Sequence, residues 1–192
     1  MNVIFLSPHF PPQYFRFCMN LKAAGANVLG IGDEPYDNLS QEVRTALTEY
    51  YRVDDMHNYS ALVRACGFFT HRYGKIDRLD SLNEYWLATE ARVRDDFNIT
   101  GVRGRDIDVI KRKSLMKGRF RSAGIPVAPG GGVTTTEQAR GLIKEIGYPV
   151  VAKPDAGVGA LDTFRLDGEG DLDALVDGTL PQHRVTKISP RP

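Results

Sequence analysis

Gly147-Tyr148-Pro149-Val150-Val151-Ala152-Lys153-Pro154-Asp155-Ala156-Gly157-Val158-Gly159-Ala160 is the stretch from which the rest of the chain is read. Gly147 and Pro149 stop whatever helix precedes them. Val150, Val151 and Ala152 form a short apolar run bounded by breakers, which predicts a strand ending at Lys153. A loop of small residues follows. Gly157 and Gly159 put no Cβ in the way, so main-chain N–H groups there can close on an oxyanion such as a phosphate, and Lys153 supplies a matching point charge. The alternative is a hairpin turn between two strands with an ordinary surface lysine, because short glycine motifs often match by chance. No Gly-Lys-Ser/Thr follows at the spacing of a Walker A loop, and the stretch is not the dinucleotide G-x-G-x-x-G.

Working outward, 192 residues that are 42% hydrophobic and 26% charged make an ordinary globular chain of one medium or two small domains. The net charge of +1 gives no electrostatic case for a nucleic acid or an anionic membrane as partner, so small molecules are the expected ligands. No apolar run approaches the ~18 residues that would span a bilayer, and the start reads as a first strand rather than a leader. Cys18 and Cys66 fall on apolar helical faces and the histidines show no metal-ligand spacing with them, which predicts two reduced thiols in a cytoplasmic protein.

The first hundred residues alternate between strand and helix patterns. Val3 to Leu6 is a continuous apolar run, Tyr14, Phe17, Cys18 and Leu21 recur at helical spacing, Gly25 ends that helix, and Val28 to Ile31 returns as a strand. Strand, helix, strand within about thirty residues is a parallel βαβ unit. Val43, Ala46, Leu47 and Tyr50 predict a helical stripe leading to a short strand at 51–53. Asn58 caps a helix carrying Leu62, Ala65, Cys66 and Phe69, Ile76 to Leu79 is a fourth strand, and Asn83 caps a helix burying Tyr85, Trp86, Ala88, Ala91 and Val93. The expected fold class is α/β, a small Rossmann-like sheet.

Ligands of such sheets bind beyond the carboxyl ends of the strands. That rule gathers Ser7, His9, Asp33, Asn83 and Glu84 as a candidate substrate crevice. His9 has the alternative of a plain loop residue, and Glu84 that of an acid favouring a helix dipole. Prolines in Ser7-Pro8-His9-Phe10-Pro11-Pro12 lack N–H donors and cannot cradle a pyrophosphate, which counts against a dinucleotide oxidoreductase.

A turn-rich connection puts the domain boundary near Gly104. Beyond it, Met116, Phe120 and Ala123 share a helical face, Gly124 fits C′, Ile125 at C″ is placed to touch Phe120, and Pro126 prevents continuation. The basic run from Lys111 to Arg121 reads mostly as a solvated face. Pro129-Gly130-Gly131-Gly132 reads as a flexible connection. Thr134 and Glu137 match a capping box for a helix burying Ala139, Leu142, Ile143 and Ile146, and 162–166 reads as the returning strand of a hairpin.

The order Lys113-x-x-Met116-Lys117, Ala123-Gly124-Ile125-Pro126-Val127, Gly147-Tyr148-Pro149-Val150-Val151-Ala152-Lys153-Pro154 and Gly157-x-Gly159 resembles the opening half of an ATP-grasp domain. Residues 1–104 resemble the Rossmann-like pre-ATP-grasp domain that accompanies it, and Ser81-Leu82-Asn83-Glu84-Tyr85-Trp86-Leu87 is similar to carbamoyl-phosphate-synthase-like members. The resemblance implies that 105–178 is the small α+β phosphate-flap part of an incomplete ATP-grasp domain, with 179–192 a disordered tail. It also implies that ATP phosphates meet Lys113 and Lys153 under a flap of Asp155, Ala156, Gly157, Val158, Gly159 and Ala160. The intact family joins a carboxylate to an amine or similar nucleophile through an acyl-phosphate, with Mg2+ between the phosphates.

In the family, the metal-ligating acids and the catalytic arginine follow this part. The acids here, Asp167, Glu169, Asp171 and Asp173, read instead as a turn and a helix first turn, so no metal ligand is expected in this chain. These 192 residues are therefore expected to be truncated and inactive alone, with no catalytic residue assigned and a homodimer as the expected assembly. The rival expectation is a non-catalytic nucleotide- or metabolite-binding module, completed by a partner chain.

Overall fold

The apolar runs near the N-terminus become parallel strands, as a sheet covered on both faces requires. In the computed structural model, which describes residues 1–157 and 161–179, the chain divides into two units, Met1–Ile107 and a second beginning at Asp108.

In the first unit the elements run β1 (Asn2–Leu6), α1 (Phe15–Ala23), β2 (Asn27–Gly32), α2 (Gln41–Ala46), β3 (Glu49–Arg52), α3 (Tyr59–Tyr73), β4 (Arg78–Asp80), α4 (Leu87–Asp96) and α5 (Gly104–Lys111), the last crossing into the second unit. The sheet order is β3-β2-β1-β4, all parallel, with Val3 opposite Val28 and Arg78. Side-chain alternation sorts the strands onto two cores. Val3, Phe5 and Val28 bury against Cys18, Val43 and Ala46 on one face, and Ile4, Leu6, Leu29 and Ile31 against Leu62, Cys66, Phe69 and Val93 on the other.

Several expectations shift when the strands are laid side by side. Tyr50 belongs to β3 rather than to the preceding helix, because α2 ends at Ala46 and Glu49 already pairs with Leu29. The fourth strand is Arg78–Asp80, since its register is set by Val3 to Phe5. Phe17, Tyr85 and Ala88 are exposed. What α4 buries in their place is polar: Glu90 and Arg94 lie one turn apart with almost no exposure. One Glu90 oxygen accepts from Ser81 Oγ and the other from Arg94 at 2.9 Å. Arg94 also donates twice to the Leu79 carbonyl (3.1 and 2.7 Å) and once to Asp80 (3.3 Å), so this network clamps the end of β4. Burial pushes the Glu90 carboxyl above its ordinary value, against the pull of Ser81 and Arg94.

The second unit contains α6 (Lys113–Ser122), α7 (Thr136–Ile146), β5 (Val150–Ala152), β6 (Phe164–Leu166) and α8 (Glu169–Val176). The strands are antiparallel, Val150 opposite Leu166, over a small core of Ile143, Leu166 and Leu172. α6 ends as its sequence requires. Gly124 takes φ +72°, Ile125 N–H donates to Phe120 at 2.9 Å, and Gly124 N–H donates to Arg121 at 3.0 Å, the two bonds of a Schellman cap. α7 is capped one residue later than expected: Thr135 accepts from Gln138 N–H (3.2 Å) while Gln138 reaches back to Thr134 (2.8 Å). Ile146 is exposed. Thr179, expected in the tail, donates to the Ala174 carbonyl at 2.8 Å, and the rest of that tail lies outside the described residues.

Arg94→Met should leave the Glu90 carboxylate buried without its cation and cost the first unit about 3–5 kcal/mol. Trp86, the single tryptophan, lies in that unit's core, so its fluorescence in a urea titration reads the loss. A shift below about 1 kcal/mol would contradict the clamp.

Candidate functional site

The chemistry-bearing residues fall into two groups, one in each unit. In the first unit the chain steps outward from β1 to β2 to β3, then returns to the other side of β1 for β4. The carboxyl ends of β1 and β4 therefore flank the point where strand order reverses, the usual crevice of an open parallel sheet. Ser7, directly after β1, has φ +51° and its N–H on the Ile31 carbonyl (2.7 Å), and it is buried. His9 lies against Gly32, where an added Cβ would stand 2.6 Å from the Tyr50 hydroxyl and 3.2 Å from His9 Nδ1. His9 Nε2 is 3.5 Å from Asp33. Across the crevice, Asn83 Oδ1 accepts from Tyr85 N–H at 3.0 Å, and Glu84 is exposed in the short turn that follows. The Tyr14 hydroxyl donates to the Leu82 carbonyl at 3.1 Å and ties the two sides. His9 and Asp33 thus come together, whereas Asn83 is occupied in holding its own turn.

The second group is built around the start of α6. A helix begins with unpaired N–H groups that ordinarily take a local side-chain cap. Arg112, at the N-cap, has no side-chain cap hydrogen bond. The capping oxygen comes instead from Asp155, beyond the end of β5: its Oδ1 accepts from Ser114 N–H at 2.7 Å across 41 positions of sequence. The Asp155 carbonyl accepts from Lys113 N–H at 2.9 Å. Lys113 Nζ then lies 3.4 Å from the carbonyls of both Asp155 and Gly157. Lys153 stands two residues before Asp155, so its Cα lies within about 7 Å of that pin. Its side chain is exposed and makes no hydrogen bond or ion pair among the described residues.

The hydrogen bonds from Ser114 hold the Asp155 carboxyl below its ordinary value, with Arg112 and Lys113 adding smaller contributions in the same direction. The segment joining β5 to β6 spans residues 153–163, longer than a tight hairpin turn; of the expected flap, Val158, Gly159 and Ala160 lie outside the described residues.

The basic face of α6 is more engaged than its composition suggested. Lys117 donates to the Ala128 carbonyl (3.1 Å) and Arg121 to that of Gly130 (2.9 Å), so the Pro129–Gly132 segment, read from sequence as a flexible connection, is stitched to the helix. The acids near α8 serve the fold: Arg140 pairs with Glu169 and Asp173, Arg165 with Asp167, and Asp171 accepts from Asp167 N–H at 2.7 Å. Among the described residues no group of three or more His, Cys, Asp or Glu side chains is arranged to hold a metal ion. No helix among them is long and apolar enough to cross a membrane.

No protein-family model matches the chain. It is 37% identical over 71 residues to the carbamoyl phosphate synthase large chain of Agathobacter rectalis, covering 37% of this chain and 7% of that one. It is 29% identical over 114 residues to an L-arginine-specific L-amino acid ligase of Bacillus subtilis, covering 59% of this chain and 27% of the ligase. Among solved structures, the biotin carboxylase domain of Hydrogenobacter thermophilus 2-oxoglutarate carboxylase, a dimer complexed with MgADP, ADP and bicarbonate, superposes with a TM-score of 0.73 at 19% identity, over 93% of this chain and 40% of that chain. The chain shares the fold of that domain over the part they have in common, and these relatives are ATP-grasp enzymes.

Because the folded-state pKa of Asp155 is depressed, the capping bond contributes stability above the ordinary value of 3.8 and loses it as pH falls through the lowered one. The Ser114 amide proton should therefore titrate with a midpoint below 3.8, and Asp155→Asn should abolish that titration. An NMR midpoint at or above the ordinary value would refute the contact.

Proposed function

We propose that this chain holds the phosphates of ATP at the corner formed by Lys113, Lys153 and the segment from Asp155, as the nucleotide-gripping share of an ATP-dependent carboxylate ligase. The observation that carries the reading is the pin between α6 and the end of β5, which brings the backbones of both lysines to one place and leaves the Lys153 ammonium without a protein partner among the described residues. The donor set suits ATP. Ammonium groups beside main-chain amides match a polyphosphate, and Lys113 rests on two contacts of 3.4 Å that a charged oxygen would better. Bound ATP would supply the phosphoryl group that activates a carboxylate for attack by an amine or similar nucleophile. The described residues do not gather into a magnesium site, so no residue here is assigned to that ion.

Lys113 and Lys153 would offset charge on the phosphates. The chain spans 7% and 27% of the two curated relatives and 40% of the structural neighbour, so catalysis is proposed for an architecture of that fuller length and not for these residues alone. The first unit's crevice, with Ser7, His9, Asn83 and Glu84, is proposed to face the small-molecule substrate. Assembly as a homodimer is supported by the dimeric neighbour. A cytoplasmic setting is supported by the free, buried Cys18 and Cys66, whose thiols burial pushes up to about 12.

Isothermal titration of the 192-residue chain with MgATP should show saturable binding, weakened about 10- to 100-fold by Lys153→Ala or Lys113→Ala, the range for hydrogen bonds to charged groups. NADH should not bind, and ADP release over carboxylate and amine panels should stay at background. Absence of MgATP binding, or wild-type affinity in both lysine variants, would overturn the nucleotide reading, and robust turnover would overturn the assignment of catalysis to a longer architecture.

A further inference from the structure

We infer that Asp155 is the positioning residue of the phosphate corner: its carboxylate caps α6 from the far side of the loop, and the cap aligns Lys113 and Lys153 for one polyphosphate. The inference rests on the nucleotide reading above and adds a role that a carboxylate beside an anion site would not be expected to have.

A negative side chain next to bound phosphates is, on Coulomb grounds, a liability. Here the carboxylate is turned away from that use. Its Oδ1 is held by Ser114 N–H at 2.7 Å, and the peptide carbonyl of the same residue is held by Lys113 N–H at 2.9 Å, so side chain and main chain together grip two successive amides of the first turn of α6. The first turn needs that grip because Arg112, at the N-cap, makes no side-chain capping bond. Two anchors in succession fix orientation as well as distance. They set the direction in which the Lys113 side chain leaves the helix, and its Nζ duly returns over the carbonyls of Asp155 and Gly157. Lys153 leaves the same backbone two residues earlier. Without the carboxylate, the helix start would keep the main-chain bond and the two longer Nζ contacts but lose the second anchor that orients Lys113 relative to Lys153.

Sign separates this role from simple proximity. If Asp155 acts only through its charge, removing it tightens ATP binding. If it positions the lysines, Asp155→Ala weakens binding even though a repulsive charge has been deleted, whereas Asp155→Asn, which keeps an acceptor for Ser114 N–H, binds at least as well as wild type.

The test is MgATP titration of the wild-type chain, D155A and D155N under conditions where circular dichroism shows all three folded, with amide hydrogen exchange at Ser114 followed in parallel. D155A is expected to lose about fivefold or more in affinity, the scale of a lost cap, with faster exchange at Ser114; D155N is expected to retain both the affinity and the protection. D155A binding as tightly as wild type or tighter overturns the inference, as does D155N falling to the level of D155A. A failure of the wild-type chain to bind MgATP at all sinks the nucleotide reading and this inference together, an outcome distinct from wild-type binding that D155A leaves intact.

Discussion

The second unit depends on a single anion placed at the start of a helix. The first N–H groups of α6 need an acceptor, and the residue at its N-cap supplies no side-chain bond, so the acceptor comes from 41 positions downstream. A cap of this kind contributes about 1 kcal/mol. Its consequence exceeds that figure because of what it joins. A local cap would tie α6 only to itself, whereas Asp155 ties it to the end of β5, the strand that delivers Lys153 and the glycine loop. The unit's core is small, built on Ile143, Leu166 and Leu172, and does not include α6. Polar contacts therefore carry the placement of that helix: Asp155 at its start, and Lys117 and Arg121 on the carbonyls of Ala128 and Gly130 along its length.

The first unit works the other way round. Its sheet is held by two apolar cores, one on each face, and polar side chains tie both ends of the strands: Asn2 bonds Asp77, Tyr73 and Lys75 at the amino end, and Ser81, Glu90 and Arg94 gather at the carboxyl end of β4. The Ser81–Glu90–Arg94 network shows why a charged pair can sit in such a place. β4 has only three residues, and Arg94 donates twice to the carbonyl of Leu79 within it, so the guanidinium does the fixing that a longer strand would obtain from its ladder. Glu90 keeps that guanidinium neutralised where water is excluded. The loop after β4, which carries Asn83 and Glu84, therefore starts from a fixed point.

Features that a short window of sequence determines were legible. The parallel sheet followed from apolar runs alternating with helical stripes, the Asn58 cap from its place before the first buried leucine of α3, and the end of α6 from Gly124 followed by Ile125 and Pro126. One local motif misled because it occurs twice: Thr134-Thr135-Thr136-Glu137-Gln138 fits a capping box in two registers, and the structure uses Thr135 with Gln138. What was not legible joins distant segments. An acid and an arginine four apart on a helix usually mark a solvated face, so nothing in the spacing of Glu90 and Arg94 announced that both are buried. The glycine run at 130–132 looked loose because the lysine and arginine that hold its neighbourhood lie a helix away. Asp155 was read as one residue of a flap, and only the paired distances to Lys113 and Ser114 show that it also caps α6.

The glycine at 157 can be weighed in the same physical terms. Among the described residues a Cβ there would meet only ordinary contacts, 3.6 and 3.9 Å from atoms of Pro154, and its φ is not in the left-handed region. Gly32 in the first unit is different, since a side chain there would run into the Tyr50 hydroxyl at 2.6 Å. What Gly157 does contribute is its carbonyl, 3.4 Å from the Lys113 ammonium. The carbonyls of Asp155 and Gly157 thus meet one ammonium, and the helix start, the end of β5 and the Lys113 side chain share a single set of contacts.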